Sequence, residues 1–113
     1  MHELSVTQSV LDIALTHAER AGAKRVLVID LVIGDLASIL DDSVQFYWDM
    51  IAKGTPAEGA ALRFTRLPLE LRCTDCGCIF SPDADSFGCP ACQSSRVRVH
   101  QGEELRVESI EVE

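Results

Sequence analysis

The sequence predicts an α+β fold: a small three-stranded sheet with two helices packed on one face, plus an inserted cysteine-rich module. Apolar residues recur at helical spacing through residue 21, a β-branched run follows at 26–33, and the composition changes abruptly at residue 69. From there to about residue 98 the chain holds all five cysteines and little aliphatic mass. We therefore expect an α/β core of residues 1–68 and 99–113, with residues 69–98 as the inserted module.

The first half of the core reads as helix, strand, helix. A helix is expected over residues 3–21, with Gly22 suited to a left-handed cap at its end. Val26–Ile33 is short and β-branched, which is typical of a strand covered on at least one face. A second helix is expected over residues 43–53, with Asp42 as its cap and Gln45 completing a capping box. The two apolar stripes are Leu4, Thr7, Leu11, Ala14, Ala18 and Ala21, then Val44, Tyr47, Trp48 and Ile51.

Two more strands complete the predicted sheet. Residues 61–67, ALRFTRL, follow a loop and read as the second strand. Residues 104–113, ELRVESIEVE, read as the third. The apolar positions of this last segment change parity along the strand, which predicts a β-bulge near Ser109.

Composition and charge exclude several classes of protein. The formal net charge is −8, with 18 acidic residues against 10 basic ones. This balance disfavours nucleic-acid binding, which depends on Lys and Arg displacing counterions from phosphates. No secretory leader and no apolar run long enough to span a membrane is apparent in the sequence. We therefore expect a cytoplasmic protein whose cysteines are reduced, and whose cysteine pairs bind metal or do redox chemistry.

The cysteine pairs Cys73–Cys76 and Cys89–Cys92 form two C-x-x-C motifs separated by 12 residues. Two such turns can close a tetrahedron of thiolates around Zn(II), so the module is expected to be zinc-ribbon-like. A segment below about 40 residues rarely folds without metal, disulfide or partner, which also favours structural zinc. Redox dithiols and a rubredoxin-like iron centre are the competing interpretations. Cys78 is left outside the ligand set.

A histidine at position 2 lies within reach of the free α-amine. That amine, the amide nitrogen of His2 and its imidazole Nδ1 can form fused chelate rings in one plane, which suits Ni(II) or Cu(II) rather than zinc. The alternative is an exposed histidine at a helix start, followed by Glu3 as an acid favourable there. His17 is expected to be a solvated residue near a helix end. His100 lies near the junction of module and core, where it is a surface histidine or approaches a second metal.

The combination of motifs resembles the HypA/HybF family. It comprises MHEL at the start, IGDL at 33–36, the paired C-x-x-C motifs and the closing GEELRVESIEVE. The resemblance implies a metallochaperone that delivers nickel during [NiFe] hydrogenase maturation. It also implies structural zinc on Cys73, Cys76, Cys89 and Cys92. Nickel would bind through His2, with Met1 and Glu3 beside it.

The resemblance further implies a GTPase nickel-insertion partner and docking on the hydrogenase large subunit precursor; some members also serve urease maturation. The chain is expected to be a carrier and not an enzyme, because it shows no nucleophile–base pair and no phosphate-binding glycine loop. The acidic helices could mediate a homodimer or the GTPase contact. The rivals are a zinc-ribbon interaction module and a rubredoxin-like electron carrier, neither of which transfers nickel.

Overall fold

The computed structural model describes residues 2–82 and 88–113, which form two sheets and two helices. Met1 therefore lies outside the described residues. In chain order the elements are α1 (Glu3–Arg20), β1 (Val26–Gly34), α2 (Asp41–Ile51), β2 (Ala61–Leu67), β3 (Glu70–Cys73), β4 (Ile79–Phe80), β5 (Val97–Gln101) and β6 (Leu105–Val112). A short 3-10 helix, Asp35–Ala37, lies between β1 and α2. No described helix has the length and apolar character needed to cross a membrane.

The first sheet has the three predicted strands in the order β2-β1-β6. β1 runs parallel to β2, with α2 in the connection between them, and antiparallel to β6. The predicted bulge is confirmed: Asp30 pairs with Ser109 but Leu31 pairs with Val107, so Glu108 is the extra residue. The change of apolar parity in the sequence therefore marks the position where the pairing of β1 with β6 is interrupted.

Both helices pack on one face of this sheet, as predicted. The alternate β1 residues Ile29, Leu31 and Ile33 are buried against them. From α2, Val44 and Trp48 are essentially inaccessible. From α1 the buried positions are Val6, Thr7, Val10, Leu11, Ala14 and Ala18. The small residues Ala14 and Ala18 on α1 let the two helices approach closely. The buried core residues are aliphatic apart from Trp48.

The opposite face of the first sheet carries an ionic cluster. Arg63 donates from Nε and Nη2 to the two carboxylate oxygens of Asp30 at 2.6 and 2.9 Å. Ser109 donates to the same carboxylate, and Glu111 accepts from Arg63 at 3.3 Å. The Arg63 and Ser109 hydrogen bonds hold the pKa of Asp30 below its ordinary value. This cluster ties all three strands together on the face that the helices leave open.

The capping prediction for α2 is wrong. The helix begins at Asp41, so Leu40 occupies the N-cap position without a side-chain hydrogen bond, and Asp42 lies inside the first turn. Gln45 donates to Asp49 and not back to the helix start. Arg66 from β2 fixes the start instead, donating to the carbonyl of Ile39 at 2.7 Å and pairing with Asp41. A cross-strand arginine thus takes the place of a local cap, which sequence spacing could not reveal.

The second sheet has the order β4-β3-β5, with both pairings antiparallel. It contains the C-x-x-C motifs and runs from Glu70 to Gln101, a few residues beyond the end predicted for the inserted module. The division into core and module stays a prediction. The sequence analysis did not foresee the strands of this sheet.

The two sheets meet where β1 ends. Gly34 lies directly against the backbone of Gly102, and a Cβ atom added to Gly34 would overlap the Gly102 carbonyl group. Gly102 has φ +124 and contacts Leu69 of the other connecting segment. The amide of Leu36 donates to the Gly102 carbonyl at 2.8 Å. Both glycines are thus required by the close approach of the two backbones.

Candidate metal centres

Each C-x-x-C motif forms a tight turn closed by backbone hydrogen bonds. In the first turn the amide of Gly77 donates to the carbonyl of Cys73 at 2.9 Å. In the second, the amide of Gln93 donates to the carbonyl of Cys89 at 2.7 Å. The residue after the second cysteine has positive φ in both turns, +79 at Gly77 and +62 at Gln93. This shared geometry leaves the amides inside each turn free to point at sulfur.

The two turns bring four sulfur atoms together. The Sγ atoms of Cys73 and Cys92 are 3.5 Å apart, and those of Cys76 and Cys89 are 3.6 Å apart. All four lie within 4.8 Å of one another. Four thiolates around zinc at about 2.3 Å would be separated by about 3.8 Å in a regular tetrahedron. The cluster therefore fits a tetrahedral ion of this size with little rearrangement.

Each cysteine pair has one buried and one exposed member. Cys73 and Cys89 are shielded from solvent, whereas Cys76 and Cys92 are exposed. The first of each pair is anchored by its own amide, with Cys73 donating to the carbonyl of Cys78 at 2.9 Å and Cys89 donating to that of Ser94 at 3.0 Å. The four-sulfur centre thus lies at the protein surface. Its two buried sulfurs belong to Cys73 and Cys89, the residues whose amides are hydrogen-bonded.

The pKa values of the thiols differ sharply. Burial alone would raise the pKa of Cys89, but the backbone amides of Cys92 and Ala91 and the neighbouring thiols outweigh it and lower the value to about 6. At Cys76 the amide of Cys78 lowers the pKa, yet hydrogen bonding with Cys89 and burial prevail and raise it to about 12. One sulfur of this contact is thus stabilised as a thiolate and the other as a thiol.

The contact between Cys73 and Cys92 also joins one thiol of lowered pKa and one thiol of raised pKa. The amide of Cys76 and then that of Asp75 hold the pKa of Cys73 below its ordinary value despite burial. The amide of Ser94 acts to lower the pKa of Cys92, but the hydrogen bond with Cys73 and burial raise it. Four adjacent thiolates would repel one another, and a divalent cation would remove this repulsion by binding all four sulfurs in their deprotonated form.

The fifth cysteine lies beside this group, where its thiol interacts with those of Cys89 and Cys73, but it is not among the four converging sulfurs. Cys78 is half-buried, and its sulfur lies 3.8 Å from the carbonyl of Ile79. Burial raises the pKa of its thiol. Among residues 2–82 and 88–113, the His, Cys, Asp and Glu side chains that converge as a metal site are Cys73, Cys76, Cys89 and Cys92. Metal ligation by these four cysteines stays a prediction that this geometry supports.

The N-terminal histidine caps the first helix. His2 is the N-cap residue of α1, and its Nδ1 accepts a hydrogen bond from the amide of Leu4 at 3.2 Å. The side chain is exposed. Glu3 is the first helical residue, and its carbonyl accepts from the Thr7 hydroxyl. The sequence analysis assigned Nδ1 to a chelate and did not foresee that the same atom would serve as a cap.

The remaining histidines lie apart from the four-sulfur cluster. His17 is exposed in the last turn of α1, as predicted. His100 is exposed on β5, beside the irregularity where Glu70 pairs with Gln101 and Leu71 with Val99. His100 thus lies in the strand that leads back to the first sheet. Its part in metal binding stays untested.

Comparisons with known proteins cover the whole chain. The family model described as "Hydrogenase/urease nickel incorporation, metallochaperone, hypA" matches residues 1–112. The hydrogenase maturation factor HypA of Dehalococcoides mccartyi is 42% identical over 113 residues, covering 100% of this chain and 95% of the relative. That of Caldanaerobacter subterraneus subsp. tengcongensis is also 42% identical, covering 100% of both chains.

Solved structures agree with the sequence relatives. A solution structure of a HypA protein superposes with a TM-score of 0.78 at 28% identity, covering 99% of this chain and 96% of that one. The solution structure of the Ni metallochaperone HypA from Helicobacter pylori gives a TM-score of 0.69 at 28% identity, covering 99% and 97%. With its four-cysteine cluster and histidine-capped N-terminus, the chain belongs to the HypA family of nickel metallochaperones for hydrogenase maturation.

Proposed function

We propose that this protein binds Ni(II) at its N-terminus and delivers it to the large subunit precursor of a [NiFe] hydrogenase, while Zn(II) stays on the four cysteines. The observation that carries the proposal is the placement of His2. It is exposed at the start of α1, and within the described residues its Nδ1 accepts one hydrogen bond, from the Leu4 amide at 3.2 Å. The match to the nickel-incorporation family supports nickel as the cargo and hydrogenase maturation as its destination.

The proposed nickel ligands are His2, Met1 and Glu3. The amine of Met1, the amide and Nδ1 of His2, and a backbone or side-chain donor of Glu3 come from consecutive residues. A site of this kind is open on one side, so an acceptor can replace its ligands one at a time. Protonation of the amine and imidazole should release nickel as the pH falls. These properties suit a cargo site better than a resident cofactor.

The proposed zinc site has the opposite character. Cys73, Cys76, Cys89 and Cys92 would saturate a tetrahedral ion, so no position is left for substrate. Zinc there would hold the two turns and the second sheet together, which explains how a sheet with few buried apolar residues stays ordered. The protein would accordingly act as a carrier without catalysing a reaction.

The proposed partners are a GTPase that drives nickel insertion and the hydrogenase large subunit precursor, both in the cytoplasm. The chain carries no phosphate-binding glycine loop, so nucleotide hydrolysis is assigned to the partner. The family description names urease beside hydrogenase, so urease maturation proteins are a second class of recipient. A homodimer remains compatible with the exposed apolar side chains of α2, Phe46 and Met50.

Calorimetric nickel titration of zinc-loaded protein with its authentic N-terminus tests the proposal. A matched protein with one extra N-terminal residue keeps His2 but removes the α-amine from its chelate ring. We expect nickel binding to be lost, or its stoichiometry to change, in the extended protein. Equal binding by both proteins would place nickel elsewhere and contradict the proposal.

Metal analysis separates the rival functions. Iron in the purified protein, with the colour of iron thiolate, would support a rubredoxin-like electron carrier. Zinc alone, with nickel binding that survives replacement of His2, would support a zinc-ribbon interaction module. The expected result is one zinc per chain that resists dialysis and nickel that exchanges.

A further inference from the structure

Two arginines face each other on neighbouring strands of the second sheet. Arg72 on β3 lies directly opposite Arg98 on β5, and both side chains are exposed. Like charges directly opposite on neighbouring strands destabilise the pair. Within residues 2–82 and 88–113 neither arginine takes part in an ion pair, although the chain has 18 acidic residues to 10 basic ones. The part of the chain that the structure describes therefore contains this pair of like charges without an internal carboxylate that offsets their repulsion.

The arginine pair lies on the sheet face opposite the buried cysteine. Side chains alternate along a strand, so Arg72 and Cys73 point to opposite faces of β3. Ile79 on β4 pairs with Arg72 from the other side and is 49% exposed. One row across the sheet therefore presents an apolar side chain followed by two cations. Such a mixed row suits a protein partner better than a simple ion.

A depression adjoins this row. It has a volume of about 460 Å³ and is lined by Thr74, Ser95, Arg96, Val97 and Arg98. The charge of Arg96 is partly answered by Asp75, whose carboxylate is 3.4 Å away. Arg98 thus lies between the depression and the arginine pair, and among the described residues no carboxylate forms an ion pair with its guanidinium.

The strand that carries Arg98 is an edge of its sheet. In the order β4-β3-β5, only one side of β5 is paired, so an extended segment can add to it through main-chain hydrogen bonds. Within the described residues the two ends of the chain form α1, which packs on the first sheet, and β6, which is a strand of that sheet. These two described segments are thus held away from the edge of β5, and we take a segment of another protein as its occupant.

We propose that this surface, defined by Arg72, Arg98 and Ile79, docks an extended acidic segment of a partner protein. A glutamate or aspartate of that segment would lie between the two guanidinium groups, which bind carboxylates bidentately. Ile79 on β4 is three strand spacings, about 14 Å, from a segment paired with the edge of β5, so it borders the docked carboxylate and is not covered by the segment. A phosphate backbone is a poorer occupant, because the net charge of −8 repels a polyanion. This inference concerns a surface separate from both metal sites.

The test uses the zinc-loaded full chain labelled with ¹⁵N and a capped peptide of alternating glutamate and valine. We expect chemical-shift changes at the amides of β5 and at the Nε groups of Arg72 and Arg98. The double variant Arg72→Glu/Arg98→Glu should weaken peptide binding about tenfold. The control Arg20→Glu/Lys53→Glu changes the net charge equally at exposed positions elsewhere and should leave binding within about twofold. Because no nickel is added, the result is independent of the proposed carrier function.

Several outcomes would overturn the proposal. A peptide with glutamine in place of glutamate that binds equally well would remove the role of charge. Equal weakening in the control variant would reduce the effect to net charge. Binding of a short oligonucleotide, but not of the peptide, at the arginines would assign the surface to phosphate. A dimer that dissociates in the double variant while peptide binding is unchanged would assign it to a second copy. If the double variant fails to fold, Arg72→Gln/Arg98→Gln serves instead, with an expected loss of about threefold.

Discussion

Replacement of His2 by alanine should destabilise the protein even without nickel. The imidazole Nδ1 satisfies the Leu4 amide, one of the unpaired donors at the start of α1. Loss of an N-cap costs about 0.5–2 kcal/mol, and an exposed bond of 3.2 Å belongs in the lower half of that range. We therefore expect about 0.5–1 kcal/mol, measured by urea denaturation of zinc-loaded, nickel-free protein followed by circular dichroism.

Asparagine at the same position separates the two roles of His2. Asparagine caps helices well but is a poor nickel ligand. We expect His2→Asn to keep the stability of the nickel-free wild type while losing nickel binding at the terminus. If His2→Ala is as stable as the wild type, or if His2→Asn is as unstable as His2→Ala, then the cap contributes nothing and the reasoning fails.

The same atom cannot accept the Leu4 amide and bind nickel through one lone pair. Nickel coordination by Nδ1 should therefore release this amide. Square-planar Ni(II) is diamagnetic, so hydrogen exchange of the Leu4 amide can be followed by NMR. The expected change is a roughly 2- to 13-fold loss of protection, corresponding to one hydrogen bond of about 0.5–1.5 kcal/mol. Unchanged protection at saturating nickel would show that nickel uses another atom.

Three further predictions follow from the packing and the charges. Gly34→Ala should cost about 3 kcal/mol because its Cβ overlaps another backbone, whereas Gly54→Ala, with φ +75 in open space, should cost only about 1 kcal/mol in urea denaturation. Zinc chelation, or Cys73→Ser, should expose the second sheet to protease while the helical circular dichroism persists; unaltered protease resistance would contradict a structural metal. Because Arg63 lowers the pKa of Asp30 in the folded protein, that stabilisation is complete above about pH 4 and is lost as the pH falls through the lowered value. The stability difference between wild type and Asp30→Asn should shrink accordingly as the pH falls below about 4, and a constant difference there would contradict this assignment.

The elements of the first sheet were predictable because their signals are local. Helical spacing located α1, β-branched runs located β1 and β2, and a change of parity located the bulge at Glu108. The start of α2 was not predictable in the same way. It is fixed by Arg66, which lies 25 residues away from Asp41 in the chain, and no local pattern records such a partner.

In the metal centres, too, the features with a local sequence signal were predicted and the others were not. The two C-x-x-C motifs made the sulfur cluster predictable, because each turn is closed by a hydrogen bond within its own few residues, Gly77 to Cys73 and Gln93 to Cys89. The strands around the cluster are too short and polar to stand out, so β3, β4 and β5 went unrecognised. The capping role of His2 was missed for another reason. Histidine is not among the preferred N-cap residues, so the sequence suggested a metal ligand or an exposed residue at a helix start, and not a cap.

The contact between Gly34 and Gly102 bears on what would happen if the segment that carries the second sheet were deleted. β2 ends at Leu67 and β6 begins at Leu105, and both flank the last residues of β1. These two points are two strand spacings apart, about 10 Å, so a linker of about four to six residues could join them. With such a linker, the cysteine-bearing segment between β2 and β6 should be removable while the first sheet and its helices remain. In such a shortened protein nothing would press on Gly34, and alanine, forbidden there now, should become acceptable.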